Sequence, residues 1–362
     1  MVQDPAHAIK DANFPVDAYG ATYHVGIRPG QIANRILTVG DPARLAKIAK
    51  LFDSLPKPCQ LTSRRGFVTL TGRYRGIPVS VMAIGMGIAN MDFFVREARA
   101  VVEGDLAIIR FGSCGTLDDE ILKVGDVNVP ERALSVTTDY DYWHRGETGP
   151  VITGFIDQDV AGSNSSAYRI SQPVAADQEL RQKVSSGIGF PPIRQSRLIS
   201  QCFGPIPQLI DSLREGLSGP EDQGRLVPTD LHASADGFYA SQGRSDPNFD
   251  DANEHLIADL ASKPIGVQSL EMETAHLFHL AHISTSKKGK IHAAASHMIF
   301  TGRTGQSAGA FIDGDLVERL EPITGRAALE ALIAFEIKES HPVKNSVWQM
   351  EFPGGGNDSG VE

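Results

Sequence analysis

The stretch that most restricts the fold of this chain is Leu106-Ala107-Ile108-Ile109-Arg110-Phe111-Gly112-Ser113-Cys114-Gly115. Leu106 to Ile109 form a continuous apolar run, the pattern of a strand buried on both faces in a sheet covered by helices. The run predicts that Arg110 and the Gly/Ser segment stand at the strand's carboxyl end, where open α/β sheets bind ligands. An arginine there, followed by glycines and a hydroxyl, offers a guanidinium fork, close backbone approach and an Oγ. Together these suit an oxyanion such as phosphate. A plain Gly-Ser-Cys-Gly turn beside a salt-bridged arginine has the same spelling, so this stretch alone leaves both readings open.

Upstream, Arg35 to Val39 lead into Gly40-Asp41-Pro42-Ala43-Arg44. Asp41 suits an N-cap and Pro42 a first helical position, and Leu45, Ile48, Ala49 and Phe52 follow at helical spacing. A strand, a glycine turn and a helix N-terminus carrying Arg44 would put backbone N–H groups and a cation where an anion can use them. An ordinary strand-to-helix turn is the alternative. Phe67 to Tyr74 and Ile77 to Ala83 read as two strands around the hairpin pair Arg75-Gly76. The second runs into Gly85-Met86-Gly87, which lacks the third glycine of a dinucleotide fingerprint and a convincing acidic partner. Phe94, Val95, Ala98, Val101 and Val102 line one side of a helix, and Asp126 to Pro130 read as another short strand.

The chain has 362 residues, 41% hydrophobic, with a formal net charge of −10. That charge argues against nucleic acid or an anionic membrane as the main partner, while a cleft holding a few arginines remains open. Cys59, Cys114 and Cys202 are an odd set without metal-type spacing, as expected in a reducing cytosol. The first residues carry no apolar signal segment, and no apolar run is long enough to span a bilayer, so a cytoplasmic protein is expected. Residues 1–22 read as a polar arm and residues 23–339 as one domain. Insertions are expected near residues 143–175 and 216–228, the second after a helix marked by Ile206, Leu209, Ile210 and Leu213. Residues 340–362 read as a partly mobile extension.

Phe238, Gln242 and Arg244 lie in a loop after a strand. A Phe can stack on a flat ring, and a Gln and an Arg can hydrogen-bond along one edge of a heterocycle; an exposed polar loop is the bland alternative. Leu270-Glu271-Met272-Glu273 reads as the opening of a helix through Leu280. There two carboxylates two residues apart would face different sides, so only one is expected in a cleft. Glu273, His276, His279 and His282 step by three and drift around that helix, so no metal is expected. Cys114 reads as a packing residue, not a nucleophile.

Taken together these residues resemble the nucleoside phosphorylase family, which includes uridine phosphorylase and the hexameric-type bacterial purine nucleoside phosphorylase. The matching stretches are Tyr23-His24-Val25-Gly26, Gly40 to Arg44, Ser63-Arg64-Arg65-Gly66-Phe67, Gly85-Met86-Gly87, Arg110 to Gly115, Phe238-Tyr239 with Gln242 and Arg244, and Glu271-Met272-Glu273. The resemblance implies an α/β fold, a single domain around a mixed, barrel-like sheet flanked by helices. It implies a phosphate pocket from Gly40, Arg44, Arg110 and Ser113, with Arg65 reaching in from a neighbouring subunit. Met272 and Glu273 would hold ribose, with His24 contributed across the interface, and Phe238, Gln242 and Arg244 would hold the base. Arg110, Gln242 and Arg244 would carry catalysis. The implied assembly is a homodimer or a trimer of dimers with shared sites, and the implied co-substrate is inorganic phosphate, with no cofactor.

Two departures bear on the base. Purine members carry a Ser-Asp pair that protonates the purine N7, whereas this chain reads Phe300-Thr301-Gly302-Arg303-Thr304, as uridine phosphorylases do. Conversely, Ser113-Cys114 looks more like the purine members. Gly66 replaces an acidic residue that helps hold potassium in bacterial uridine phosphorylases, so no ion is carried over. The resemblance implies phosphorolysis of uridine to uracil and ribose 1-phosphate, as in pyrimidine salvage. A purine nucleoside phosphorylase and a non-catalytic nucleoside-binding protein are the rivals. A water-using nucleosidase is disfavoured because Arg44 and Arg110 would then have no substrate charge to meet.

Overall fold

Alternation along the strands decides which side of the sheet each residue covers. In the computed structural model, which describes residue 9 and residues 11–143, 166–186, 225–340 and 346–347, the strands in chain order are β1 (Arg35–Val39), β2 (Cys59–Thr62), β3 (Val68–Tyr74), β4 (Ile77–Ala83), β5 (Glu103–Gly104), β6 (Leu106–Thr116), β7 (Val127–Thr138), β8 (Tyr168–Ile170), β9 (Val174–Ala175), β10 (Leu226–Ala235), β11 (Ser269–Glu271), β12 (Ile291–Gly302) and β13 (Glu339–Ser340). The helices are α1 (Pro42–Ala49), α2 (Ile88–Val101), α3 (Gln178–Ser186), α4 (Leu256–Ala261), α5 (Thr274–Ile283) and α6 (Gly314–Ala334). Ile36, Met82 and Ile108 pack on one side with Phe94 and Val95 of α2 and Phe278 of α5. Their neighbours Leu37, Val81 and Ile109 pack on the other with Leu45 and Ile48 of α1 and Leu329 and Leu332 of α6. Each such side chain contributes about 1.5–3 kcal/mol by leaving water, which is why these strands read as unbroken apolar runs.

The sheet is mixed. β1 lies between β4 and β6, parallel to both, and β12 continues the parallel set beyond β6. β2, β3 and β4 form an antiparallel wing. Its β3–β4 hairpin turns at Arg75 (φ 50) and Gly76 (φ 77), two consecutive left-handed residues that match strand twist. On the far side β12 meets β7 antiparallel, β7 meets β10 parallel, and β10 meets β11 parallel. β11 then pairs back onto β6, so β6, β12, β7, β10 and β11 close a five-strand barrel. Outside it, Leu231, Ala233 and Leu270 pack against Leu256 and Leu260 of α4.

Helix α1 starts as the sequence predicts. Asp41 caps it by accepting from the Arg44 N–H at 2.9 Å, with Pro42 in its first turn. Two strands outrun their apolar segments: β6 continues through Thr116 and β7 through Thr138. The stretch expected as an insertion near 216–228 is corrected at its end, because Leu226 to Pro228 already belong to β10. Residues 144–165 and 187–224, including the helix expected around Ile206 to Leu213, lie outside the described residues, as does most of the expected tail. No described helix is long and apolar enough to cross a membrane.

Gly325 of α6 packs against Ile48 of α1. A Cβ there would sit 2.8 Å from Ile48 Cγ1, on a β-branched side chain that has little rotamer freedom in a helix. Helix propensity alone would make Gly325→Ala stabilising by about 1 kcal/mol. The expected outcome is the reverse, a loss of about 1–3 kcal/mol from overpacking, read as a lower urea midpoint at unchanged slope.

Candidate active site

Strand β6 changes partner along its length. Residues Ala107 to Phe111 pair with β1, whereas Gly115 and Thr116 pair with β11. Arg110 therefore sits mid-strand, just before the strand leaves the open sheet for the barrel, and not at a strand end as the sequence predicts. The Gly/Ser segment is strand because β12 and β11 pair along it, and its glycines leave room for neighbouring side chains. A Cβ at Gly112 would lie 2.8 Å from His297 Cδ2, and one at Gly115 would lie 2.9 Å from Arg303 Cγ. The same alternation sends Ser113 to the opposite face from Arg110. Cys114 is buried, which pushes its thiol well above the ordinary range and leaves it inert.

The two carboxylates of Glu271-Met272-Glu273 correct a second expectation. They belong to a strand end and a turn, since α5 begins only at Thr274, and both converge on Arg110. Glu273 Oε2 lies 2.5 Å from Arg110 Nη2, and Glu273 Oε1 accepts from the Gly87 N–H at 2.5 Å. Gly87 can offer that N–H from φ 96, the left-handed region a glycine adopts without strain. Met272 is half-buried beside this loop. Glu271 is more deeply fixed. Its Oε1 accepts from Ser234 Oγ at 2.6 Å and from the N–H groups of Glu273 and Thr274, both at 2.9 Å.

Burial works to raise the Glu271 carboxyl, yet His232 and the Arg110 guanidinium hold it well below the usual carboxylate range. Burial, with Glu271 alongside, pushes the Glu273 carboxyl up to about 7 against the pull of Arg110. His232 and His297 lie beneath, fully buried and stacked with centroids 4.6 Å apart at 9°. Burial keeps His297 well below its ordinary value, hence neutral. With Glu271 these rings bring metal-ligating atoms within 4.8 Å of one another. His232 Nδ1, however, is 2.7 Å from Ser269 Oγ, His297 Nδ1 is 3.2 Å from Asn128 Oδ1, and His297 Nε2 is 2.9 Å from Thr274 Oγ1, so three of the four ring nitrogens have hydrogen-bond partners. The adjacent Arg110 further disfavours a cation, and the set fits a hydrogen-bonded cluster. In the histidine stripe of α5, His276 faces Asp92 at 3.1 Å.

Gly40 and Gly85 lie side by side past the ends of β1 and β4, with the Gly85 N–H donating to the Gly40 carbonyl at 2.9 Å. Arg44 is buried over the Phe111 ring, with Nε 2.9 Å from Glu321 Oε1 and Nη1 3.5 Å from the Phe111 carbonyl. Neither Arg44 nor Arg110 therefore lacks a counter-charge, and the sequence argument from unmet charge is corrected. The anion case rests instead on Arg110 Nε and Nη1, buried donors with no hydrogen-bond partner among the described residues.

The base-binding candidates do meet. Arg244 lies over the Phe238 ring at 4.0 Å, donates from Nε to the Phe238 carbonyl at 2.9 Å, and reaches Gln242 Oε1 at 3.4 Å. Sequence reasoning left Arg303 out of the site. Its Nη2 donates to the Gln242 carbonyl at 2.7 Å, and burial together with the Arg244 charge lowers it to about 10. The Arg-Thr spelling at 303–304 was the available signal. Among the described residues neither arginine is ion-paired with a carboxylate.

His24 and Arg65 stand apart from Arg110. His24 lies on the Phe93 ring at 3.7 Å with Nδ1 2.7 Å from Glu97 Oε1, and Arg65 Nη2 donates to Tyr23 Oη at 2.8 Å.

A model of the phosphorylase superfamily matches residues 34–291. A protein named uridine phosphorylase from Thermococcus kodakarensis is 25% identical over 313 residues, covering 85% of this chain and 90% of its own. A structure from work on two diverse uridine phosphorylases of the oomycete Phytophthora capsici superimposes with a TM-score of 0.74 at 31% identity, covering 91% of this chain and all of that one. A purine nucleoside phosphorylase DeoD-type 2 from Vibrio cholerae is 42% identical, but over only 108 residues, 30% of this chain and 44% of its own.

The raised Glu273 value has a sign that unfolding can read. A carboxyl at about 7 when folded and near 4.5 otherwise contributes stability that is complete below 4.5 and lost as pH rises through 7. Glu273→Gln lacks that dependence. The unfolding free energy of the native protein minus that of the variant is expected to fall by on the order of 3 kcal/mol between pH 4.5 and 8. A difference that stays flat or rises in urea titrations would contradict the assignment.

Proposed function

The chain belongs to the phosphorylase superfamily, as a pentosyltransferase of the nucleoside phosphorylase kind, and we propose that its reaction is the phosphorolysis of uridine to uracil and ribose 1-phosphate. The observation that carries this choice of base is the pocket of Gln242, Arg244 and Arg303, in which neither arginine is ion-paired with a carboxylate among the described residues. Donors there suit the carbonyl edge of uracil, and no acid stands at the Arg303-Thr304 position to protonate a purine N7.

Phosphate is the nucleophile, so the protein needs no activated side chain. Arg110, with Arg44 and Gly40 around it, would hold the dianion beneath C1′ of the ribose in attacking geometry. Glu273 would accept from the ribose hydroxyls, with Met272 packed beside the sugar. As the C1′–N1 bond lengthens, positive charge on the ribosyl ring is met by phosphate. The electron pair leaving with N1 spreads to the uracil carbonyls, where Gln242 and Arg244 donate, backed by Arg303. Phe238 would stack on the base. Preorganised donors of this kind are worth about 2.7–4 kcal/mol each at a developing oxyanion. No cofactor takes part in this scheme, one domain over residues 23–339 carries it, and the cytosol is its compartment.

Uridine and inosine, each incubated with and without phosphate, test the reading. Uracil and ribose 1-phosphate are expected from uridine, and only when phosphate is present. Free ribose would make the protein a hydrolase. Equal turnover of inosine would favour the purine reading, which the high local identity to the Vibrio protein supports.

His24 and Arg65 make their contacts away from Arg110, which fits service to a neighbouring subunit in a homodimer or trimer of dimers. Arg65→Ala would then damage the partner's site and Arg110→Ala its own. In a mixed dimer both lesions fall in one site and the other stays intact. Mixing the two inactive variants is expected to restore up to about half of a dimer's activity. A mixture as inactive as its parents, with subunit exchange verified by pull-down of a tagged copy, would overturn the shared site.

A further inference from the structure

Arg110 faces two carboxylates and hydrogen-bonds to only one. Its Nη2 is bound to Glu273 Oε2, while its Nε lies 3.6 Å from Glu271 Oε2. Arg110 Nε, Arg110 Nη1 and Glu271 Oε2 are all buried and none has a hydrogen-bond partner among the described residues. A donor and an acceptor thus stand side by side, unmade and roughly 0.7 Å beyond normal N–H···O contact. The carboxylate cannot supply the movement. Ser234 Oγ and the Glu273 and Thr274 N–H groups fix Oε1, and His232 Nε2 stands 3.1 Å away from it, out of line for a hydrogen bond. The guanidinium, on a long side chain, is the part free to move.

We propose that Glu271 is a positioning residue for Arg110, which exchanges carboxylates when an oxyanion binds. Nε–H closes on Glu271 Oε2, both Nη atoms turn to the oxyanion, and Glu273 Oε2 is released to accept from a ribose hydroxyl. Without the anion, Glu273 is occupied by the same guanidinium that the anion would claim. Phosphate loading therefore prepares the sugar site, and by reciprocity the nucleoside tightens phosphate binding. The inference rests on Arg110 as a phosphate ligand and Glu273 as a ribose ligand.

The test is equilibrium binding of uridine to the full chain at increasing sulfate, an unreactive oxyanion, with steady-state kinetics in phosphate alongside. In the native protein saturating sulfate is expected to tighten uridine binding by about fivefold or more. Glu271→Gln keeps an oxygen for the backbone N–H groups and loses the negative charge facing Arg110. It is expected to reduce the sulfate effect to under about twofold and to raise the phosphate KM by about ten- to hundredfold, the weight of one charge-assisted hydrogen bond. Uridine binding without sulfate is expected to stay as in the native protein. A purely structural role would weaken uridine binding with and without sulfate alike, and that result overturns the proposal. Should Glu271→Gln fail to fold, Ser234→Ala, which loosens Oε1 and keeps the charge, is expected to lower the sulfate effect part-way; an undiminished effect overturns the proposal, as does a native protein with no sulfate effect. Arg110→Ala, read by equilibrium binding of sulfate, separates the two levels. If it leaves sulfate affinity unchanged, the reading of Arg110 fails. If it weakens sulfate binding while Glu271→Gln leaves the sulfate effect intact, only the carboxylate exchange fails.

Discussion

Two residue pairs close the barrel on which the site depends. Ser269 opposite Thr116 and Leu270 opposite Gly115 are the paired residues that join β11 to β6. Glu271 follows Leu270 directly, so the pairing that shuts the sheet also delivers two carboxylates to Arg110. The backbone then becomes part of the electrostatics. The Glu273 and Thr274 N–H groups at the start of α5 turn back onto Glu271 Oε1, stabilising a buried negative charge by a helix N-terminus and not by a surface cation. Shifting β11 by one residue would reverse its faces and remove both carboxylates at once.

Local rules made much of this legible from the amino acids. Asp41 and Pro42 mark a helix start that the structure repeats, and Arg75-Gly76 marks a turn whose φ values only its type explains. The apolar runs at Leu37 and Ile109 are strands covered on both sides. The rules failed where neighbours far along the chain decide. The apolar run ends at Ile109, but the strand does not, because β12 and β11 pair with it to Thr116, and His297 and Arg303 take up the room beside its glycines. The two glutamates looked opposed because a helix was assumed, whereas a strand end and a turn let residues two apart converge. Nothing local marks His232 in β10 or His297 in β12 as members of one stack.

The base pocket draws on the same closure from its other side. Arg303 follows β12 directly and reaches the carbonyl of Gln242 in the loop after β10. The strand bearing His297 beneath Arg110 thereby also leads to the arginine beside the base loop. The shift in register between Ile299 and Thr301 lets one strand serve both, since a bulge changes which face the following residues present. The proposed sugar, anion and base positions are thus tied to the ends and kinks of barrel strands.

The fit of His297 against Gly112 has an evolutionary reading. With Cδ2 standing 2.8 Å from where a Cβ on residue 112 would sit, the two positions are sterically coupled. A lineage cannot enlarge residue 112 without first shrinking residue 297, and shrinking residue 297 alone leaves a void under Arg110. The route between this barrel floor and one built on an apolar side chain therefore passes through a weakened intermediate. Descendants are expected to diversify first in the loops above, with the floor handed down as a pair.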